Sequence, residues 1–127
     1  MADASILEVF PAPGDAPIVI EHVAEEFTSL CPKTGHPDFG VVVLRYQPQP
    51  LSRGGVCVEL KSLKLYYQAY RDEGIFYEAV TRRICDDLVA ALGPAWLQVV
   101  TDWRGRGGIR SEIRAEFGDV PAHYLGE

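Results

Sequence analysis

Four segments of the chain have the apolar and β-branched pattern of β-strands. They cover residues 18–27, 39–48, 96–103 and 108–117. The last segment alternates strictly, with one predicted face made of Ile109, Ser111, Ile113, Ala115 and Phe117, and the other of Arg110, Glu112, Arg114 and Glu116. We expect the four segments to form one antiparallel sheet.

Between the second and third of these segments the apolar spacing lengthens to that of helices. A first helix is predicted over residues 60–71, with an apolar stripe at Leu60, Leu63, Tyr67 and Tyr70 and a polar stripe one residue later at Lys61, Lys64, Gln68 and Arg71. A second helix is predicted from the spacing of Phe76, Val80, Ile84, Leu88 and Leu92, and Gly93-Pro94 should end it. The predicted class is α+β, in the order ββααββ.

A four-stranded sheet covered by helices on one face leaves its other face and both edges exposed. We therefore expect a homo-oligomer in which subunits join edge to edge. Residues 1–16 are predicted to be an extended N-terminal arm because they combine Pro11 with Gly14, and residues 17–127 to be a single domain. Residues 48–55, rich in Pro and Gly, are predicted to be a turn or a short surface insertion.

Charge and cysteine content limit the classes of function. The net charge of −6 argues against nucleic acid as a direct partner. No apolar run approaches the length of a membrane span, and the N-terminus lacks a signal-peptide pattern, so we expect neither membrane association nor export. The three cysteines are widely spaced and odd in number, which favours the cytoplasm over a disulfide-bonded or zinc-bound protein. His36 has no second histidine nearby, so no metal site is expected.

The loop "SLCPKTGHPDFG" contains a cysteine and an aspartate that could carry chemistry. Cys31 has two interpretations, a small packing residue or a nucleophile with a nearby acid. Asp38 is either a turn residue or that acid, since Pro and Gly between the two residues allow the loop to reverse.

Two further segments have both a structural and a functional interpretation. Glu59 is either a helix-start residue or a carboxylate that accepts two N–H bonds from a guanine-like ring. Lys61 and Lys64 form either a solvated face or a contact for a phosphate-bearing cofactor. Phe76 is either a core residue or a plate that stacks on a flat heterocycle, and Glu78 is a second candidate for ring N–H groups.

Taken together, the segments "FTSLCPKTGHPDFG", "ELKSLKLYYQAYRDEGIFYEA" and "RGGI" resemble the QueF-type nitrile reductases, the NADPH-dependent 7-cyano-7-deazaguanine reductases of queuosine biosynthesis. The resemblance covers about residues 19 to 117, and residues 59–66 match the family signature throughout. It implies the tunnelling fold, a four-stranded antiparallel sheet with two helices on one face. It also implies assembly into rings, often pentamers stacked in pairs, with active sites between subunits.

The resemblance also implies a role for each candidate residue. Cys31 would add to the nitrile carbon to give a thioimide, and Asp38 would protonate the nitrile nitrogen. The implied substrate-binding residues are Glu59, Leu60, Phe76, Tyr77 and Glu78. The implied NADPH-binding residues are Lys61, Ser62, Lys64 and Arg106. This chain has Tyr77 where the family usually has histidine, so substrate orientation or the second reduction step could differ.

Two other functions fit the same predicted fold. One is an archaeosine-forming amidinotransferase that acts on a nitrile carried by tRNA, although the intact Lys61–Lys64 signature and the acidic net charge favour the reductase. The other is a non-catalytic purine- or pterin-binding ring protein in which Cys31 only packs.

Overall fold

The computed structural model describes residues 2–125 and has the predicted order of long strands and helices. The strands are β1 (Val9–Pro11), β2 (Ile20–Leu30), β3 (Pro37–Gln47), β4 (Val56–Val58), β5 (Trp96–Arg106) and β6 (Ile109–Gly118), and the helices are α1 (Leu60–Gln68) and α2 (Tyr77–Leu92). The long strands form one antiparallel sheet in the order β2-β3-β5-β6. The four predicted strands and two predicted helices are confirmed, although α1 ends earlier than predicted and continues as the 3-10 turn Ala69–Asp72.

The hydrophobic core lies between one face of the sheet and the two helices. Alternate residues of β3 point into it, namely Val42, Leu44 and Tyr46, and all three are fully buried. Ile84 and Leu88 of α2, four residues apart, pack against them from the helical layer. Gly93 follows α2 in the left-handed conformation, with φ of 50°, and its N–H donates to the Val89 carbonyl, so the helix ends where Gly93-Pro94 predicts.

The N-terminal arm is attached to the body of the domain along most of its length. β1 pairs with β4 in a separate two-stranded sheet, and the side chains of Ala2 and Ala12 are buried. Ser62 in α1 fastens the arm, since its hydroxyl accepts the Glu8 N–H at 2.9 Å. Neither β1 nor β4 was predicted from the sequence pattern.

The loop over residues 48–55 packs against the same arm. It contains the 3-10 turn Leu51–Arg53, and its backbone exchanges hydrogen bonds with Ala12 and Gly14. The predicted surface turn is therefore ordered by contacts with a segment far away in sequence.

The β5–β6 hairpin has a two-residue turn, Gly107-Gly108, between the paired residues Arg106 and Ile109. Both glycines have positive φ, 58° and 81°, as the tightest right-twisting hairpin turns require. Just before the turn, the pairing of β5 with β6 shifts register between Trp103 and Arg106. This bulge and turn hold the Arg106 side chain next to the start of β3.

Candidate active site

A cavity of about 320 Å³ lies where the end of β2, the start of β3, the start of α2 and the β5–β6 hairpin meet. Its lining includes six residues singled out from the sequence or through the resemblance: Cys31, Asp38, Phe76, Tyr77, Glu78 and Arg106. Strand pairing explains how Cys31 and Asp38 come together, because Leu30 is paired with Pro37. The loop between them closes through two backbone bonds of 2.8 Å, from the Cys31 N–H to the His36 carbonyl and from the Gly35 N–H to the Cys31 carbonyl.

Donors around the sulfur stabilise the thiolate form of Cys31. They lower its pKa to about 7, the largest effect coming from the Thr34 hydroxyl, followed by the backbone N–H groups of Thr34 and Lys33 and then by the Arg106 guanidinium. Cys31 is partly exposed, whereas the other two cysteines are buried, and burial raises the pKa of Cys85 to about 11. Cys31 is therefore the cysteine suited to nucleophilic attack near neutral pH.

The Asp38 side chain is almost fully buried and is held through one of its two oxygens. Arg106 Nη1 donates to Asp38 Oδ1 at 2.7 Å, and the Tyr77 hydroxyl donates to the same oxygen at 3.3 Å. The Arg106 guanidinium lies within reach of both the sulfur and the carboxylate, and both neighbours raise the pKa of Arg106. The guanidinium thus links the nucleophile electrostatically to the carboxyl group.

Aromatic stacking and a set of hydroxyl groups hold Tyr77 in place. Its ring lies flat on Trp103, with ring centroids 4.2 Å apart and 8° between the planes. Its carbonyl accepts the Thr81 hydroxyl at 2.7 Å, and the Thr81 and Thr101 hydroxyls are 2.6 Å apart. Trp103 Nε1 in turn donates to Thr101 at 2.8 Å. The phenol that contacts Asp38 is therefore placed by buried neighbours on α2 and β5.

The start of α1 forms a second group of candidate residues, outside the Cys31 cavity. Glu59 caps the helix, its two carboxylate oxygens accepting the Lys61 N–H at 2.8 Å and the Ser62 N–H at 2.7 Å. These N–H groups lower the pKa of Glu59. Leu60, Lys61 and Lys64 are exposed around this helix start. Within the single subunit, Glu59 therefore acts as the helix-start residue, which is the structural one of its two interpretations.

Comparison with known proteins gives the family. The family model described as "QueF-like protein" matches residues 37–121, more than half of the chain. An NADPH-dependent 7-cyano-7-deazaguanine reductase of Anaeromyxobacter dehalogenans is 53% identical over 117 residues, which cover 91% of this chain and 92% of the relative. The chain belongs to the QueF-like family. A reductase of the same name from Rhodopirellula baltica is 51% identical over 114 residues, covering 89% of this chain and 90% of the relative.

A solved structure of an archaeosine synthase, QueF-Like, in the apo form shares the fold of this QueF-like chain. The TM-score is 0.69 at 23% sequence identity, over 87% of this chain and 99% of that one. This likeness confirms the predicted α+β tunnelling fold.

The structure of this family member divides the predicted site residues into two groups. The Cys31 cavity holds both predicted catalytic residues, three of the predicted substrate-binding residues and Arg106. The other predicted residues, Glu59, Leu60, Lys61, Ser62 and Lys64, lie at the start of α1. Ser62 is buried, and its hydroxyl is bonded to Glu8 N–H and to the Glu59 carbonyl, so it is placed to hold the arm rather than to face solvent.

Three residues near Cys31 were not singled out from the sequence. Thr34 and Trp103 act on Cys31 and Tyr77 as described above, and Ser111 of β6 lines the cavity. A threonine in a turn and a tryptophan in a strand are ordinary residues there, so only the packed structure shows their roles. The pattern of β6 does place Ser111 on the same face as Ala115, which is buried.

Two other features of the described chain bear on the chemistry. No helix within residues 2–125 is long and apolar enough to cross a membrane. In the same range, no three histidine, cysteine or acidic side chains are grouped so that they could hold a metal ion.

Proposed function

We propose that this protein is an NADPH-dependent 7-cyano-7-deazaguanine reductase, which converts a nitrile to a primary amine in queuosine biosynthesis. The observation that carries the proposal is the cavity in which a thiol with a pKa of about 7 and a buried carboxyl group face the same space. The family membership and the name carried by relatives above 50% identity support the same activity. They favour it over the amidinotransferase and the non-catalytic alternatives.

The first step of the proposed reaction uses Cys31 and Asp38 together. The Cys31 thiolate gives an electron pair to the nitrile carbon, forming the S–C bond while one C–N π bond opens. The nitrile nitrogen gains negative charge and takes a proton from the Asp38 carboxyl group, giving a neutral thioimide. A nitrile is a modest electrophile until its nitrogen is protonated, so the two groups must face the substrate at the same time.

The contacts of Asp38 indicate which oxygen donates the proton. Oδ1 already accepts bonds from Arg106 and Tyr77, which leaves Oδ2 to carry the proton toward the cavity. Tyr77 donates to the carboxylate and holds it in place. A phenol does not titrate near neutral pH as an imidazole does, so in this chain the proton must come from Asp38 itself.

The remaining residues of the cavity suit a flat, N–H-rich ring. Phe76 is 54% exposed at the cavity, where it can stack on a heterocycle, and the Glu78 side chain is exposed beside it, where it can accept ring N–H bonds. We assign Glu59 and Leu60 to the same substrate from a neighbouring subunit. The capping bonds of Glu59 occupy one lone pair on each oxygen and leave others for the ligand.

The residues at the start of α1 fit the cofactor named for the relatives. NADPH, when bound, supplies the hydrides that reduce the thioimide carbon and then the imine released from it. The ammonium groups of Lys61 and Lys64 are exposed and form no ion pair within residues 2–125, as phosphate recognition requires. We assign Arg106 to cofactor binding because its side chain lines the Cys31 cavity. We assign Ser62 to supporting the N-terminal arm.

We further propose that the subunits form pentameric rings, which can stack in pairs as decamers, by pairing the β2 edge of one subunit with the β6 edge of the next. Within residues 2–125 each of these strands pairs with another strand on one side only, and on its other side β2 is bridged only at Leu30, to Gly74. Val23 on β2 and Ile109 on β6 expose 47% and 71% of their surface, which such a ring would cover. A cytoplasmic location fits the three free cysteines, and the charge of −6 fits a small-molecule substrate without direct nucleic acid binding.

The test mixes the protein with 7-cyano-7-deazaguanine and NADPH and follows cofactor absorbance and product mass. We expect about two NADPH consumed per amine formed, and a thioimide adduct on Cys31 by intact-mass spectrometry. Cys31→Ala should abolish NADPH oxidation while still binding the nitrile. An unchanged turnover in this variant would refute the mechanism.

A second variant tests the substrate assignment at the start of α1. Glu59→Leu should weaken affinity for the nitrile far more than affinity for NADPH, because it removes the carboxylate but not the lysines. Equal losses of both affinities would show that Glu59 acts only as the helix cap.

A further inference from the structure

Ion pairing leaves few cations in this chain that can bind an anionic ligand. Six of the twelve Lys and Arg side chains pair with carboxylates: Arg45, Arg82, Arg83, Arg106, Arg110 and Arg114. The others have no carboxylate oxygen within 4.0 Å in the described range 2–125, and they are Lys33, Arg53, Lys61, Lys64, Arg71 and Arg104. A site for a phosphate dianion should contain at least two of these six.

Lys64 and Arg71 share a second cavity of about 320 Å³, between β2 and α1. Lys64 is on α1 and Arg71 is in the 3-10 turn that continues it, seven residues later and therefore on the same side. Gln68 lies between them on this side and also lines the cavity. The floor is apolar, with Leu60 and Leu63 from α1.

Arg71 also borders a third cavity, where it is accompanied by Arg104. That cavity is also lined by Arg110. Three carboxylates, those of Glu25, Glu26 and Asp102, balance its three guanidinium groups and leave no net positive charge for a phosphate. Among residues 2–125, the cavity between β2 and α1 is lined by one acidic residue, Glu26, against the two cations Lys64 and Arg71. The balance of charge therefore selects the cavity that Arg71 shares with Lys64.

We propose that Arg71 and Lys64 bind the 2′-phosphate of NADPH in this cavity, and that Arg71 is the main residue that discriminates NADPH from NADH. The inference rests on the proposed function and extends the cofactor site beyond the signature at residues 59–66. A 2′-phosphate is the only group that NADPH has and NADH lacks. The planar guanidinium of Arg71 can bind two phosphate oxygens at once, while the Lys64 ammonium adds a point charge. The apolar floor at Leu63 suits the adenine ring.

A binding experiment tests the site without any turnover. The probes are 2′,5′-ADP, which carries the 2′-phosphate, and 5′-AMP, which does not. We expect Arg71→Gln to weaken 2′,5′-ADP binding by about tenfold or more and to leave 5′-AMP binding within about twofold. Lys64→Gln should act in the same direction. The matched control is Arg53→Gln, since Arg53 is also unpaired and exposed but lines none of the three cavities, and it should bind both probes as the wild type does.

Steady-state kinetics separate this inference from the proposed function. Arg71→Gln should raise the KM for NADPH and leave the KM for NADH and for the nitrile unchanged, so the preference for NADPH collapses. Wild-type protein that reduces no nitrile but binds 2′,5′-ADP through Arg71 would refute the function and keep the phosphate site. Equal 2′,5′-ADP affinity in Arg71→Gln and wild type would refute the phosphate site. An equal loss of affinity for 2′,5′-ADP and 5′-AMP in Arg71→Gln would refute it as well. Both results hold whether or not the protein reduces the nitrile.

Discussion

The low pKa of Cys31 depends most on one hydroxyl group, and Thr34→Val removes it. Valine has nearly the shape of threonine but cannot donate to the sulfur. It also cannot accept the His36 N–H, which Thr34 Oγ1 accepts at 3.2 Å, so Thr34→Ser is the matched control that keeps both bonds. We expect the pKa of Cys31 to rise in the valine variant and to stay near its wild-type value in the serine variant.

The size of the effect follows from the thiolate fraction. The surroundings lower the pKa of Cys31 from an ordinary value of 9.0 to about 7, so about half of the sulfur is ionised at pH 7 instead of about 1%. The backbone N–H groups of Thr34 and Lys33 and the Arg106 guanidinium remain in the valine variant. The pKa of Cys31 in this variant should therefore lie between about 7, the value with all donors present, and 9.0, the ordinary value with none of them.

The assay is the rate of iodoacetamide alkylation of Cys31 as a function of pH, followed by intact mass. The pH midpoint of the alkylation rate is the quantity to compare between variants. The rate at a single pH is less informative, because a thiolate with a higher pKa is also more nucleophilic. For a pKa difference of two units, this offsets about tenfold of the change in rate that the thiolate fraction alone would cause. Cys57 and Cys85 are buried and should not react in the folded protein. A wild-type midpoint near 9, or the same midpoint in the valine and serine variants, would refute the proposed control of the thiol.

Three further outcomes follow from the structure. Tyr77→Phe should lower nitrile turnover by about two- to tenfold, the worth of a long hydrogen bond to Asp38, without moving the alkylation midpoint of the nucleophile; an unaltered turnover would remove Tyr77 from the mechanism. Leu88→Ala should lower the free energy of unfolding by about 2–5 kcal/mol in urea, because the side chain is fully buried in the core, and a loss below 1 kcal/mol would contradict that packing. Gly40→Ala should lower the thermal midpoint and change the fluorescence of Trp103, since the added Cβ would meet Trp103 Cε3 at 2.8 Å; an unchanged midpoint would show that the sheet yields there.

The sequence predicts the long elements well, because most of them bury one face and so carry their own period. β5 is buried on both faces over residues 96–101, and its apolar and β-branched content predicts it instead. The strict alternation of the last strand is confirmed at Ala115, which is buried, and at Arg114 and Glu112, which pair on the outer face. β1 and β4 were missed because three residues are too few to show a period, and because their pairing joins Val9 to Val58 across a long stretch of chain.

The site could be predicted only in part, for a similar reason. Cys31 and Asp38 lie in one loop, so turn residues alone indicate that they approach each other. The ion pair between Asp38 and Arg106 depends on the register that sets Gly40 opposite Trp103, and on the bulge and turn beyond it. No local pattern contains that register. The resemblance supplied Arg106 as a cofactor residue, and the structure adds its contact with the carboxyl group.

The separation of Cys31 from the start of α1 within one subunit has a consequence for rings assembled from two different variants. In the proposed ring, each reaction centre takes its sulfur from one chain and its Glu59 from the next. Cys31→Ala, which lacks the nucleophile, and Glu59→Leu, which binds the nitrile weakly, should then complement each other at low nitrile concentration when they are unfolded together and refolded as mixed rings. Random assembly would make about a quarter of the centres intact, whereas a centre built from a single chain would regain nothing.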